Sequence, residues 1–201
     1  MKRKIVKYIR SRGVPLPQEN VDTDQIVPAR FLKATTKEGF GDHLFYDLRF
    51  DESKNPKNFV LNDARYSGEI LIAGRNFGCG SSREHAAWAI ADYGFGAVIS
   101  SFFADIFKNN ALNNGILPIQ VSEEFLRILL DVLQRDAKTV IEVDLEKQVV
   151  RVPSEELEYE FEINAYKKVC LMNGYDDVEY LLSRSKDVEK FEKMRKDDFS
   201  I

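Results

Sequence analysis

Residues 74–86 read Gly-Arg-Asn-Phe-Gly-Cys-Gly-Ser-Ser-Arg-Glu-His-Ala and hold Gly74, Gly78 and Gly80, three of the eleven glycines of a 201-residue chain. Glycine tolerates positive φ and lets backbone approach a ligand closely. The run Ala86-Ala87-Trp88-Ala89-Ile90-Ala91 that follows is helix-forming. A helix start offers unpaired N–H groups and a partial positive charge, so loop and helix together suit an anion. Backbone of Gly78, Cys79 and Gly80 would form the cradle, with the hydroxyls of Ser81 and Ser82 and the cation of Arg83 at its rim. The chemistry this favours is capture of a carboxylate or phosphate beside a reactive hydroxyl. Ser81-x-x-Glu84 also fits a capping box, which asks nothing catalytic of the serine.

Other glycine-loop chemistries do not match. No Lys-Ser/Thr pair follows, as a P-loop needs, and Gly78-Cys79-Gly80 lacks the third glycine of a dinucleotide fingerprint. The pattern is not a Gly-x-Ser-x-Gly elbow. Cys79 lies near Arg83 and His85, which would favour a thiolate, but no third group orients a base, and an inert small cysteine is the better reading. Serine as a base requires that its alkoxide be held by backbone donors and a nearby cation, as an oxyanion is. A pocket of that kind suits a carboxylate substrate that loses a proton next to a carboxylate, the chemistry of hydroxy-acid dehydration. A Lewis acid must then assist the departing hydroxyl. Two cysteines, Cys79 and Cys170, cannot hold an iron–sulfur cluster. With only His43 and His85 besides, no metal site is expected on this chain.

The elements that position the loop follow from local patterns. Gly68–Ala73 reads as a strand before it, and 82–93 as the helix after it, closed by Gly94 in an αL cap. Ala97–Ser101 is a buried strand, 103–113 a helix, and Gly115–Ile119 another strand. This β-loop-α-β-α-β succession implies an α/β layer with parallel strands. Ser122 caps a strong helix with Phe125, Leu126, Leu129, Leu130 and Leu133 at helical spacing. Residues 140–152 form a hairpin and 157–163 a further strand. Asn164 caps a helix that Gly174 stops, Asp177–Ser183 adds a turn or two, and the charged residues 186–201 form a terminal helix or tail. Upstream, Ile5–Ile9 is a candidate strand leading into a turn at Pro15 and Pro17. Asp22-Thr23-Asp24 reads as caps and turns rather than a metal pair, while Arg30 and Lys33 are within reach of an anion. Residues 35–67 form a long aromatic excursion around His43, expected as a satisfied structural histidine. One domain spans 1–201.

Net charge is −4, which argues against a nucleic-acid binder. The basic start, Lys2-Arg3-Lys4, is not followed by a signal-type apolar run, and no 18-residue apolar stretch spans a membrane. A reducing cytoplasm is the expected setting.

Three stretches resemble a known family. Asn20-Val21-Asp22-Thr23-Asp24-Gln25-Ile26-Val27-Pro28, Asn76 to Ala86, and Ser101-Phe102-Phe103-Ala104-Asp105-Ile106-Phe107 are similar to the small subunits of 3-isopropylmalate dehydratase, in the aconitase superfamily. Gly39–Phe45 and Met172-Asn173-Gly174 extend the likeness, which covers roughly residues 15–185. The resemblance implies the three-layer β/β/α swivelling domain of the aconitase C-terminal type, α/β with a mixed sheet. It implies a hydro-lyase of leucine biosynthesis that interconverts 2- and 3-isopropylmalate through isopropylmaleate. It implies a large-subunit partner carrying a [4Fe–4S] cluster, so this chain binds no cofactor itself. By motif position Ser81 is the base and Arg83 holds a substrate carboxylate. Phe31-Leu32-Lys33-Ala34 matches a segment that selects the substrate side chain, with Arg30 and Ser82 beside it as substrate contacts. Ala87 stands where relatives often carry proline, and Tyr175–Tyr180 departs from the usual glycine-containing ending. A related hydro-lyase acting on citraconate or dimethylmaleate is the nearest alternative, and a non-catalytic anion-binding module the second.

Overall fold

A computed structural model describes residues 5–33 and 36–198. Ala34 of the expected selecting segment, and 199–201 of the expected tail, lie outside the described residues.

In chain order the elements are β1 (Tyr8–Leu16), α1 (Thr23–Ile26), α2 (Tyr46–Arg49), β2 (Ile70–Ala73), α3 (Glu84–Tyr93), β3 (Ala97–Ser100), α4 (Asp105–Asn113), β4 (Leu117–Gln120), α5 (Glu123–Arg135), β5 (Val140–Asp144), β6 (Val149–Val152), β7 (Leu157–Glu160), α6 (Ala165–Asn173), α7 (Asp177–Ser183) and α8 (Ser185–Asp198). The sheet is mixed, ordered β4-β3-β2-β1-β5-β6-β7. Its pivot is β1. Residues Tyr8–Arg12 pair antiparallel with β5, and Gly13–Leu16 pair parallel with β2.

The turn expected at Pro15 does not form. Strand β1 starts later than Ile5 and runs through Pro15, which faces Ile72 in the parallel register. Pairing with β5 ends at Arg12, so this half of β1 has an open edge on which a residue without an N–H is tolerated. Pro118 obeys the same rule on the edge strand β4. Before the strand, the Val6 amide donates to the Leu171 carbonyl at 3.0 Å, so that stretch docks on α6.

Every residue of β2 and β3 is buried, which requires cover on both faces. Side chains alternate between faces along a strand. Ile70, Ile72 and Ile99 join a cluster with Leu126, Leu129 and Leu133 of α5 and with the antiparallel strands. Leu71, Ala73 and Val98 join a second cluster with Ala86 and Ile90 of α3 and Phe107 of α4. The layers implied by the family resemblance are formed in this way. Helix α5 follows its pattern: Ser122 accepts from the Phe125 amide at 3.1 Å, and Phe125, Leu126, Leu129 and Leu133 are buried with Leu130 partly so.

Residues 36–67 of the excursion pack against the core. Phe40, Leu44 and Phe45 are buried in the α3–α4 cluster, and the Gly41 amide donates to Asp92 Oδ2 at 2.8 Å. The excursion therefore clads α3. Its turns are 3-10 at Phe40–His43 followed by α2.

Candidate active site

The glycine loop leaves β2 at Ala73 and is gripped on two sides. On one side lies the 20–24 segment. The Asn20 amide donates to the Arg75 carbonyl at 2.8 Å, the Gly78 amide to Val21 at 2.8 Å, and the Thr23 amide to Cys79 at 2.9 Å. Buried Thr23 also donates its hydroxyl to the Ser81 carbonyl at 2.9 Å. Asp22 caps α1, accepting from the Gln25 amide at 2.8 Å, while Gln25 Oε1 accepts from the Asp22 amide at 3.1 Å. Asp22 thus acts as a cap, as the turn reading expects, whereas Asp24 is an ion-pair partner of Arg83, which that reading did not foresee. On the other side lies the 101–107 segment. The Phe77 amide donates to the Phe102 carbonyl and the Ala104 amide to Phe77, each at 3.1 Å. The three stretches that carry the family resemblance therefore form one hydrogen-bonded unit.

The loop needs two of its glycines for different reasons. Gly78 has φ +77°, and a Cβ there would lie 2.2 Å from Phe107 Cγ, so both conformation and space exclude a side chain. Gly80 has φ +87° with no neighbour nearer than 3.4 Å, so conformation alone selects glycine.

The Ser81–Glu84 capping box does not form. Helix α3 begins at Glu84, and its N-cap is Arg83, with no side-chain cap bond. Ser81 and Ser82 are exposed. The Ser81 hydroxyl, and the amides of Gly80, Ser81 and Ser82, have no hydrogen-bond partner among the described residues. Such amides are suitable donors to an oxyanion at the loop. The Arg83 guanidinium is largely buried, 16% exposed, and pairs with the Asp24 carboxylate. Glu84 turns away from Ser81: its Oε1 accepts from Trp88 Nε1 and Asn114 Nδ2, both at 3.1 Å. Burial raises the Glu84 pKa, but the Asn114 and Trp88 hydrogen bonds and the charges of Lys37 and His85 outweigh it and hold the group below its ordinary value.

The remaining expected residues sit on the turn after α1. Arg30 is committed to Asp47, with Nη1 to Oδ2 at 2.8 Å, and its guanidinium lies 4.6 Å from the Phe31 ring centroid. That hydrogen bond is the main reason Asp47 titrates below the ordinary carboxylate range. The structure thus joins Arg30 to the excursion, not to the glycine loop. Phe31 stacks on His43 at 4.0 Å between centroids. Leu32 packs partly buried on the α3–α4 cluster, and Lys33 is exposed. His43 is structural but not satisfied: its buried Nδ1 has no hydrogen-bond partner among the described residues, and its ring serves as an aromatic plate for Phe31 and Phe40. The Cys79 thiol donates to the Asn20 carbonyl at 3.5 Å, and burial, then the Asp22 charge, push its pKa up. That is the inert cysteine, not a thiolate. Among the described residues no group of three or more His, Cys, Asp or Glu converges as a metal site would require.

Sequence reasoning missed Asp24 as the partner of Arg83 and Asn114 as the partner of Glu84. Both lie far off in the chain, 59 and 30 positions away. Only the presence of Asp24 inside the first motif hinted at the former.

The chain as a whole is similar to known proteins. Residues 4–124 match the family model described as "Aconitase C-terminal domain", and residues 127–165 match the one described as "LeuD_N". A 3-isopropylmalate dehydratase small subunit of Cytophaga hutchinsonii is 60% identical over 189 residues, covering 94% of this chain and 94% of that protein. The protein of that name from Christiangramia forsetii is 59% identical over 189 residues, covering 94% and 92%. A crystal structure titled as 3-isopropylmalate dehydratase (leuD) from Methanocaldococcus jannaschii is 29% identical, with a TM-score of 0.66, covering 91% of this chain and 98% of that one. The chain, with its glycine loop clasped between two partner motifs, belongs to the 3-isopropylmalate dehydratase small-subunit family within the aconitase C-terminal fold.

Proposed function

We propose that this chain is the small subunit of a two-subunit hydro-lyase that interconverts 2- and 3-isopropylmalate through isopropylmaleate in leucine biosynthesis, in the cytoplasm. The observation that carries the reading is Ser81. Its hydroxyl stands exposed, with no hydrogen-bond partner among the described residues, at the end of a positive-φ glycine loop and two residues before Arg83. A dehydration needs a base near a carboxylate-binding cation, and these neighbours provide both roles.

In this reading Ser81, as an alkoxide held by the amides of its own loop, takes the proton from the carbon adjacent to a substrate carboxylate. The electron pair of that C–H bond becomes the new C=C bond as hydroxide departs from the next carbon. Rehydration runs the same steps in reverse with the hydroxyl on the other carbon. Arg83 exchanges its Asp24 partner for, or shares it with, a substrate carboxylate, using the planar fork that a lysine lacks. Phe31, Leu32 and Lys33 face the substrate side chain, and Ser82 contributes a second hydroxyl. A [4Fe–4S] cluster on the large subunit supplies Lewis-acid assistance to the leaving hydroxyl. The exposure of Ser81 and Ser82 supports a site whose other wall belongs to that partner, since elimination requires exclusion of bulk water.

The test is reconstitution with the large subunit. Ser81→Ala is expected to lower turnover of 2-isopropylmalate by at least ~100-fold. Turnover at the wild-type rate would overturn the base assignment. A profile favouring citraconate or dimethylmaleate over isopropylmalate would overturn the substrate.

A further inference from the structure

Ser81-x-x-Glu84 has the residues of a capping box, yet the box is not made. In that box the serine oxygen would be occupied by a backbone amide and the glutamate would reach back to the serine. Instead Glu84 is drawn the other way by a relay. Lys37 Nζ donates to Asn114 Oδ1 at 2.7 Å, and Asn114 Nδ2 donates to Glu84 Oε1 at 3.1 Å. Trp88 Nε1 donates to the same Oε1 at 3.1 Å, and Lys37 also lies 5.2 Å from the Trp88 ring centroid. Asn114 is itself fixed, closing α4 as its C-cap and donating to the Asn110 carbonyl at 2.8 Å. Helix α3, lacking a side-chain cap, has its first turn held by these bonds to Glu84.

We propose that Glu84, Asn114 and Lys37 are positioning residues that keep the capping box from closing, so that the Ser81 hydroxyl stays unengaged. The inference rests on the reading of Ser81 as base. It assigns a role in turnover to residues on three separate segments, none of which need touch substrate. The negative charge of Glu84 at the first helical position also suits the α3 dipole, so the relay leaves the helix start stabilised while its serine remains available.

The experiment uses the reconstituted two-subunit enzyme. Glu84→Ala and Asn114→Leu are each expected to lower kcat roughly tenfold to hundredfold, as misplacement of a reacting group does. KM for 2-isopropylmalate should stay within about threefold, because the loss falls on the chemical step. Glu84→Gln keeps the Oε1 acceptor and should retain most of kcat. Because Glu84 acts through Ser81, the double variant Ser81→Ala/Glu84→Ala should be no slower than Ser81→Ala alone. Lys37→Met, at an exposed side chain, carries the test independently of folding, with kcat lowered about three- to tenfold, the range for a residue coupled through a network. Wild-type kcat in Lys37→Met, or additive losses in the double variant, would overturn the proposal. If Ser81→Ala is inactive while Glu84→Ala turns over normally, the base reading stands and the relay falls. If Ser81→Ala itself is fully active, the base reading has failed.

Discussion

Arg83 and Asp24 form an ion pair between two motifs 59 positions apart, with the arginine largely buried at 16% exposure and the aspartate half in solvent at 54%. The pair holds the proposed substrate-binding cation in a fixed orientation while leaving its partner easily hydrated. Arg83→Lys keeps the charge and loses the planar fork. It is expected to lower kcat/KM for isopropylmalate by roughly ten- to a hundredfold, the worth of a charged hydrogen bond. Asp24→Ala should raise KM, while changing stability by no more than about 1 kcal/mol, since the carboxylate is exposed. Steady-state kinetics beside urea unfolding checks both.

Ser81, the proposed base, does not cap α3. Loss of a true N-cap serine costs about 1 kcal/mol. Because Ser81 caps nothing here, Ser81→Ala should leave the unfolding midpoint unchanged while turnover collapses. Ser122→Ala is the counterpart: that hydroxyl does cap α5, so it should lose about 1 kcal/mol. Paired denaturant titrations of the two variants give the comparison directly.

Gly78→Ala places a Cβ 2.2 Å from Phe107 Cγ at φ +77°. Overpacking and left-handed strain together should cost about 2–5 kcal/mol. Gly80→Ala meets only the conformational penalty, about 1–2 kcal/mol. The order of the two melting temperatures tests whether Phe107 is the floor of the loop.

Glu84 sets a pH dependence. Its folded pKa lies below the ordinary value of 4.5, despite burial, because hydrogen bonds and cations favour the carboxylate. A depressed folded pKa contributes stability that is present above the unfolded value and lost as pH falls through the folded one. Wild type should therefore be more stable than Glu84→Gln at pH 7, and the gap should close below about pH 4. Unfolding curves collected across that range measure it.

Much of the architecture was legible in local pattern. Ser122, Asn164, Gly94 and Gly174 mark helix ends where the structure has them, because caps and αL stops depend on a few adjacent residues. The alternation in 140–163 and the continuous apolar runs of β2 and β3 declared their strands for the same reason. Pro15 was misread because proline's tolerance in a strand depends on whether that strand's edge is free, which only the neighbouring strand decides.

By itself, then, the sequence determined the order of helices and strands, the glycine loop with Ser81 and Arg83 at its end, and the likeness of three separated motifs to one family. Tertiary structure decided what those motifs do to one another. It set Thr23 and Asp24 against Ser81 and Arg83 and Phe107 beneath Gly78, tied Arg30 to Asp47, and sent Glu84 to Asn114 in place of Ser81. The physical reason is range. Caps, turns and periodicity act within a few residues, whereas ion pairs and hydrogen bonds between distant segments exist only after the sheet has brought those segments within about 3 Å.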